Sequence, residues 1–488
     1  MHRFFSQRGF RALLLAATVL STALTREAVV QAQTTEFRAG AATTNISPWH
    51  GLSINGNMSD GKVAYVHDEL HARALLLDDG KKRLAFVVVD SCMVPRDVVT
   101  EAKARIKSQT GIPAENVLIS ATHAHSCPTA GAVFQSEPDA DYHRFLVARI
   151  ADAVSAANTN RAPARIGWGV GSNANQVFNR RWHVKPGTIP ADPFGRKDDQ
   201  VRMNPPPGSP DLIEPAGPID PQVSVISVRD LGGKPIGLLA NYSLHYVGGV
   251  GSGHASADYF GAFAAEVKKR LRPEGGSPPF VAMMTNGTSG DINNINFRTP
   301  RSASPPYAQI QRVATELAAE AVRVATSIPY RDHAMLDSVS AELQLGVRKP
   351  TAEEITRAES VVKRASGRAL SGLEEIYARE TLLLQKYPDT VPVTIQALRV
   401  GEVGIVAIPC EVFVEIGLAI KQKSPLQPSF TIELANGYNG YLPTRAQHAL
   451  GGYETWRARS SYLAVDAAEA IQTTAISLLE QLHARKPK

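Results

Sequence analysis

The seven residues Leu84 to Asp90, LAFVVVD, form a near-continuous apolar run, the pattern of a strand buried on both faces. Such a strand needs a layer of structure on each side. Its neighbours supply the parts: Leu70 to Leu77 reads as a partner strand across the Asp79-Gly80 turn, Val98 to Thr110 has helical spacing and stops at Gly111, and Asn116 to Ser120, NVLIS, is another short apolar strand. Strand, helix and strand in alternation predict an α/β fold, a layered mixed β-sheet core flanked by helices in a single domain.

Further along, Tyr142 to Ala157 is helical in pattern, and VSVISVRD (Val223 to Asp230) turns at Gly232-Gly233 into PIGLLANYSLH, which ends on His245. FVAMMT runs into the polar loop NGTSGDINN. Helices are predicted at Ile310 to Thr326 and, as a solvent-facing pair, at Glu353 to Lys386. The strands VPVTIQALRV and VGIVAIP then lead to Cys410 and Glu411, and a last helix covers about Val465 to Leu482. Between Val184 and Pro221 a Pro- and Gly-rich stretch lacks periodicity; inside a compact domain this predicts a wall or lid beside a site.

Arg3, Arg8 and Arg11 precede the apolar run Ala12 to Leu24, and Val30-Gln31-Ala32 offers a cleavage point before Gln33. Residues 1–32 are therefore expected to be a signal peptide and 33–488 the mature domain, secreted, or periplasmic in a Gram-negative source. An uncleaved anchor is disfavoured because the run is short against the ~20 residues of a bilayer span. No later stretch is apolar enough to span a membrane. Setting aside the leader's four arginines and Glu27 takes the net charge from +6 to about +3, too little to argue for nucleic acid. Three cysteines, Cys92, Cys127 and Cys410, do not make a disulfide scaffold.

Several loops that follow apolar strands carry residues able to bind metal: His123 and His125 in ATHAHSCP, His245, Glu411, and the tyrosines of ANGYNGYLPTRAQHALGGYET. Two histidines and a carboxylate with one open position form a common catalytic zinc set, because imidazole and carboxylate suit this borderline ion. On an extended segment His123 and His125 face one side, as would two polar residues of an ordinary half-buried strand. Spacing alone does not separate a metal site from a structural pair.

ISATHAHSCP resembles the SATHTHSGP signature of the neutral, or alkaline non-lysosomal, ceramidases. The resemblance extends through LHARALLL, NRRW at Asn179 to Trp182, YSLH at Tyr242 to His245, NGTSGDINN, IPCEVFVEIG and NGYNGYLPT…GGYET. It implies one zinc held by His123, His245, Glu411 and Tyr441, with His125, Arg180 and Tyr453 lining the reacting centre. Tyr441 and Tyr453 keep the family's twelve-residue separation, and Arg180 directly follows Asn179 as in the family's NR pair. It further implies a ceramidase-like hydrolase in which a zinc-bound water attacks a linear amide (N-acyl) bond. His125 would shuttle the proton, and Tyr453 and Arg180 would stabilise the oxyanion. The expected partner is a small or lipid-like N-acyl substrate; an ester or lactone would use the same contacts.

Three departures accompany the resemblance. The family's SN(L/V)GD serine falls at Gly287, with Thr288 and Ser289 beside the gap, which leaves open a non-catalytic zinc-containing binding protein. The chain ends about 35 residues after Tyr453, so no C-terminal immunoglobulin-like domain is expected, the known ones being of ~100 residues. Cys127 and Cys410 replace family glycines beside His123 and Glu411, which raises a disulfide clamp across the site as one possibility and two buried thiols as the other.

Overall fold

The LAFVVVD run forms strand β3 (Arg83–Val89), whose alternate side chains enter two different cores. Ala85, Val87 and Val89 pack with two helices on one side, while Leu84, Phe86 and Val88 face a second sheet on the other, as the period-2 geometry of a strand requires. Each fully buried Val or Leu contributes roughly 1.5–3 kcal/mol, so a strand loaded on both faces belongs at the centre of the molecule. The computed structural model describes residues 36–271, 279–300, 303–365 and 367–485. The leader expected at residues 1–32 lies outside the described residues.

The main sheet contains eight strands: β1 (Arg38–Asn45), β2 (His71–Asp78), β3, β4 (Val117–Ala121), β5 (Ala162–Ser172), β6 (Gln222–Asp230), β7 (Pro235–Tyr242) and β8 (Val281–Asn286), in the order β8-β7-β6-β5-β1-β2-β3-β4. β1 and β5 share only the pairs Arg38↔Pro163 and Ala39↔Ala162. At this narrow junction the sheet folds, and its two halves face each other. At Gly237 of β7 an added β-carbon would stand 2.7 Å from Leu75 and 3.7 Å from Ala41, which shows how closely the halves approach and why glycine occupies the position.

Helices α1 (Arg96–Thr110) and α2 (Ala140–Thr159) cover the half containing β1 to β4, and α3 (Asp258–Leu271) and α4 (Ala308–Ser327) cover the other half. A four-stranded sheet, β9 (Leu336–Gly346), β10 (Thr390–Val400), β11 (Val403–Ala407) and β12 (Ser429–Ile432), completes the inner core. Around its other face pack α7 (Val414–Lys423) and the last helix, α8 (Ala467–Ala484). The helix pair is α5 (Ala352–Arg364) and α6 (Gly372–Leu384), and a Thr351/Glu354 capping box starts α5. These are the layered mixed sheets and helices expected from the sequence.

The Val184–Pro221 stretch is more ordered than its composition indicates. Val201–Met203 and Leu212–Pro215 each pair with Arg181–Val184 in a three-stranded sheet. Asp199 accepts hydrogen bonds from Gly452 N (2.8 Å) and Trp456 Nε1 (2.9 Å), so the stretch forms a wall pinned to the Gly451–Trp456 segment. The prolines hide this from periodicity because they break each strand after three or four residues. Among the described residues no helix is long and apolar enough to cross a membrane.

Candidate metal centre

Three pairs of parallel strands, β3/β4, β7/β8 and β11/β12, deliver the polar residues from their carboxyl ends, where open α/β sheets gather ligands. The chain leaves β4 into His123 and His125, β7 into His245, β8 into Ser289 and Gly290, and β11 into Glu411. The expected strand alternation of His123 and His125 does not hold. β4 ends at Ala121, His123 adopts φ 67°, and the two imidazole planes cross at 84°. A left-handed non-glycine residue is costly, and such strain concentrates at functional sites; here it turns the His123 ring back toward β7.

His123 Nε2 lies 3.0 Å from His245 Nε2 and 3.3 Å from Glu411 Oε2, and His245 Nε2 lies 3.9 Å from the same oxygen. All three side chains are at most 3% exposed. His123 Nδ1 donates to Cys92 O at 2.7 Å and His245 Nδ1 donates to Ser289 O at 3.1 Å. Both Nε2 atoms are thereby left as lone pairs aimed at one point, the usual arrangement around a metal. Tyr438 OH donates to Glu411 Oε1 at 2.9 Å, whereas the buried Oε2 has no hydrogen-bond partner. Two bare nitrogens and an orphaned carboxylate oxygen fit a cation. Ligands ~2.0–2.1 Å from a tetrahedral zinc stand about 3.3 Å apart, which the three observed separations bracket.

The remaining expected residues surround this cluster. His125 Nε2 is 3.1 Å from His123 Nε2, and its ring stacks on Tyr246 at 3.7 Å. Arg180 donates to Tyr441 OH (3.1 Å), Gly290 O (2.8 Å) and Glu454 Oε1 (2.9 Å). Arg181 instead turns to Glu454 Oε2 and Gln447, which separates the roles of the two arginines. Tyr441 lies beside Glu411 in a short parallel pairing, and its ring meets that of Tyr453 edge-on at 5.8 Å. Burial opposes protonation of His123, but Glu411 and Cys92, through charge and hydrogen bonding together, outweigh it and raise the His123 pKa. Burial, then Arg180 and His123, lower that of His245; burial, then His123 and Arg180, lower that of His125.

The family model for neutral/alkaline non-lysosomal ceramidase, N-terminal, matches residues 56–315. This chain belongs to that ceramidase family. The neutral ceramidase of Pseudomonas aeruginosa is 23% identical over 92% of this chain and 72% of its own length. The crystal structure of neutral ceramidase from P. aeruginosa superposes with a TM-score of 0.68 at 21% identity, over 93% of this chain and 75% of that one. A ceramidase complexed with C2 gives 0.68 at 20% identity, over 93% and 76%. At these identities the structures speak for the fold.

Against the ceramidase pattern, a β-carbon at Gly287 would stand 2.5 Å from Ser243 Oγ and 2.9 Å from Ser243 N, so this backbone has no room for the family serine. Ser289 does not take its place: its hydroxyl donates to Glu433 at 2.5 Å and lies on the Nδ1 side of His245, 3.4 Å away. Thr288 is buried, with its side chain against Gly417. The disulfide clamp is absent. Cys127 and Cys410 are free thiols in separate cores, because the chain around Ser256 holds Cys127, whose Sγ is 3.6 Å from Ser256 O.

Tyr246, Glu433 and Glu454 were not singled out in the sequence, Cys92 was named only among the cysteines, and Tyr438 only among the tyrosines of its loop. Two of them carried a local signal: Tyr246 follows His245 directly, and Glu454 follows Tyr453 in GGYET.

Proposed function

We propose that this chain is a secreted or periplasmic zinc-dependent hydrolase, exported by a leader over residues 1–32, that cleaves the linear N-acyl amide bond of a ceramide-like lipid. The observation that carries this reading is the convergence of His123 Nε2, His245 Nε2 and the partnerless Glu411 Oε2 in a member of the ceramidase family. His123, His245 and Glu411 would hold one zinc, with Tyr441 as fourth ligand. When bound, the ion would supply a Lewis acid and lower the pKa of a water there towards ~7.

The protein's own groups then divide the work. His125 takes the proton of the attacking water and returns it to the amide nitrogen as the C–N bond breaks, which releases a free acid and an amine. Its Nε2 stands within one hydrogen-bond length of the His123 ring, so it works at the rim of the cluster. Tyr453 donates to the carbonyl oxygen as negative charge builds there, and Arg180 holds Tyr441 and adds a positive charge. One well-placed donor of this kind is typically worth ~10² or more in rate.

Metal analysis of the purified chain, with hydrolysis of a panel of N-acyl sphingoid bases, simple N-acyl amides and esters, tests the reading. About one zinc per chain and cleavage of the N-acyl substrates are expected, with both lost in His123→Ala. Activity that survives His123→Ala sinks the zinc mechanism. Bound zinc with no turnover of any substrate favours a binding protein, and turnover of the esters alone favours an ester or lactone hydrolase.

A further inference from the structure

The segment that follows β12 touches the loops that carry His123 and Glu411 and the end of β8, which leads into Ser289, the residue behind His245. Leu434 O accepts from Ala121 N at 3.1 Å, two residues before His123; Glu433 N donates to Asn286 O at 3.1 Å, at the end of β8; and Leu434 N donates to Cys410 O at 3.0 Å, beside Glu411. Leu434 holds φ 51° to do this, a conformation that a branched aliphatic residue adopts only where its surroundings impose it.

At the centre of this hub the Glu433 carboxylate is 0% exposed. Its Oε1 accepts from Ser289 Oγ at 2.5 Å, and its Oε2 accepts from Ser289 N at 3.1 Å and from Val412 N at 2.7 Å. Ser289 is the residue whose carbonyl orients His245, and Val412 directly follows Glu411. One carboxylate therefore joins the backbone behind the His245 ring to the backbone behind the Glu411 side chain. All three donors are neutral groups. A buried carboxylate held only by neutral donors is a costly choice for filling space, and a Gln or Leu would fill the same volume. What the carboxyl group adds over an amide or an alkyl group is a second acceptor oxygen, so that Ser289 and Val412 are both held and the two loops are fixed together.

We propose that Glu433 is a positioning residue for the metal cluster, acting through Ser289 on His245 and through Val412 on Glu411. The proposal rests on the zinc reading above. It also assigns the hydroxyl left beside Gly287: Ser289 belongs to the support of His245 and not to the reacting face.

The test uses the full mature chain, stripped of metal and titrated with zinc against a chromophoric chelator, and with cobalt(II) to record its ligand-field spectrum. The variants are Glu433→Gln, which keeps the volume and one acceptor, and Ser289→Ala, which removes only the hydroxyl link. The expected result is a zinc dissociation constant raised about tenfold or more in Glu433→Gln and at least threefold in Ser289→Ala, with an altered cobalt spectrum in both. The unfolding midpoint of the metal-free protein is read alongside, because a residue that merely stabilised the fold would shift that midpoint and leave metal affinity alone. Zinc constants within threefold of the parent in both variants overturn the proposal, and Ser289→Ala alone decides if Glu433→Gln does not fold. A parent chain that takes up no zinc overturns the metal reading and this inference with it; a parent that binds zinc and variants that match it overturn this inference only.

Discussion

Arg180 and Arg181, adjacent in sequence, are held by the two oxygens of one buried carboxylate: Arg180 Nε meets Glu454 Oε1 at 2.9 Å, and Arg181 NH1 meets Oε2 at 2.7 Å. Charge counting predicts different outcomes for Arg180 and Glu454. Arg180→Leu leaves a compensated Arg181–Glu454 pair, so stability changes by about 1 kcal/mol while kcat/KM falls ~10²-fold or more. Glu454→Gln takes from two buried guanidinium groups the carboxylate that pairs with both and should cost about 3–5 kcal/mol of stability. Denaturant unfolding of both variants beside their kcat/KM checks this; an Arg180→Leu variant with unchanged rate removes Arg180 from the chemistry.

Metal removal should be visible without any substrate. A ligand bound only by the folded state stabilises it by RT ln(1 + [L]/Kd), about 4 kcal/mol when zinc stands at a thousandfold its Kd. A chelator should therefore lower the unfolding midpoint of the parent, and added zinc should restore it. In His123→Ala the chelator should have little effect, since the ring whose Nε2 meets both His245 and Glu411 is gone. A chelator effect of equal size in parent and variant would place the metal elsewhere.

The strands and helices were legible where burial on two faces or one writes a period into the sequence, as in Leu84–Val89 and Ala308–Ser327. The grouping of His123, His245 and Glu411 was legible only through resemblance, because their convergence is a property of three strand ends far apart in sequence. The partners of the supporting residues were not legible, even for Glu454, whose place after Tyr453 marks it locally. Glu454 reaches back 274 residues to Arg180, and Glu433 reaches 144 residues to Ser289, and no local pattern shows which partners a glutamate will be buried with. The same non-locality separates Cys127 from Cys410: each lies near a member of the cluster in sequence, but their side chains enter different cores.

Restoring the family serine should fail for a steric reason. A β-carbon at residue 287 meets Ser243 Oγ at 2.5 Å and the Ser243 backbone at 2.9 Å, so Gly287→Ser overpacks the site at a cost of about 1–3 kcal/mol. Ser243→Gly alone removes the nearer obstacle but also the acceptor for Thr288 N. The double variant is expected to recover part of the loss seen in Gly287→Ser, and unfolding midpoints for the four chains give the coupling. Strict additivity would mean that Ser243 is not what excludes the serine.

Asp291 should make the fold less stable as pH rises. Its carboxylate accepts from Val414 N at 2.9 Å and Asn179 Nδ2 at 2.8 Å, yet burial pushes its pKa up to about 6, above the ~3.9 of an unfolded chain. A pKa raised by folding means that the native state holds the proton more tightly. The stabilising contribution is then complete below pH ~4 and is lost as pH climbs through about 6. Asp291→Asn removes the ionisable group at nearly the same size, at a pH-independent cost, because Asn179 keeps its Nδ2 toward residue 291 while its Oδ1 accepts from Arg181 N at 3.0 Å. The stability of the variant relative to the parent should therefore rise by on the order of 3 kcal/mol between pH 4 and pH 7. Denaturant unfolding of the two chains from pH 4 to pH 8 at fixed ionic strength reads the difference directly. Curves that stay parallel over that range would show that Asp291 ionises in the fold as it does in the unfolded chain, its two donors having fully offset its burial.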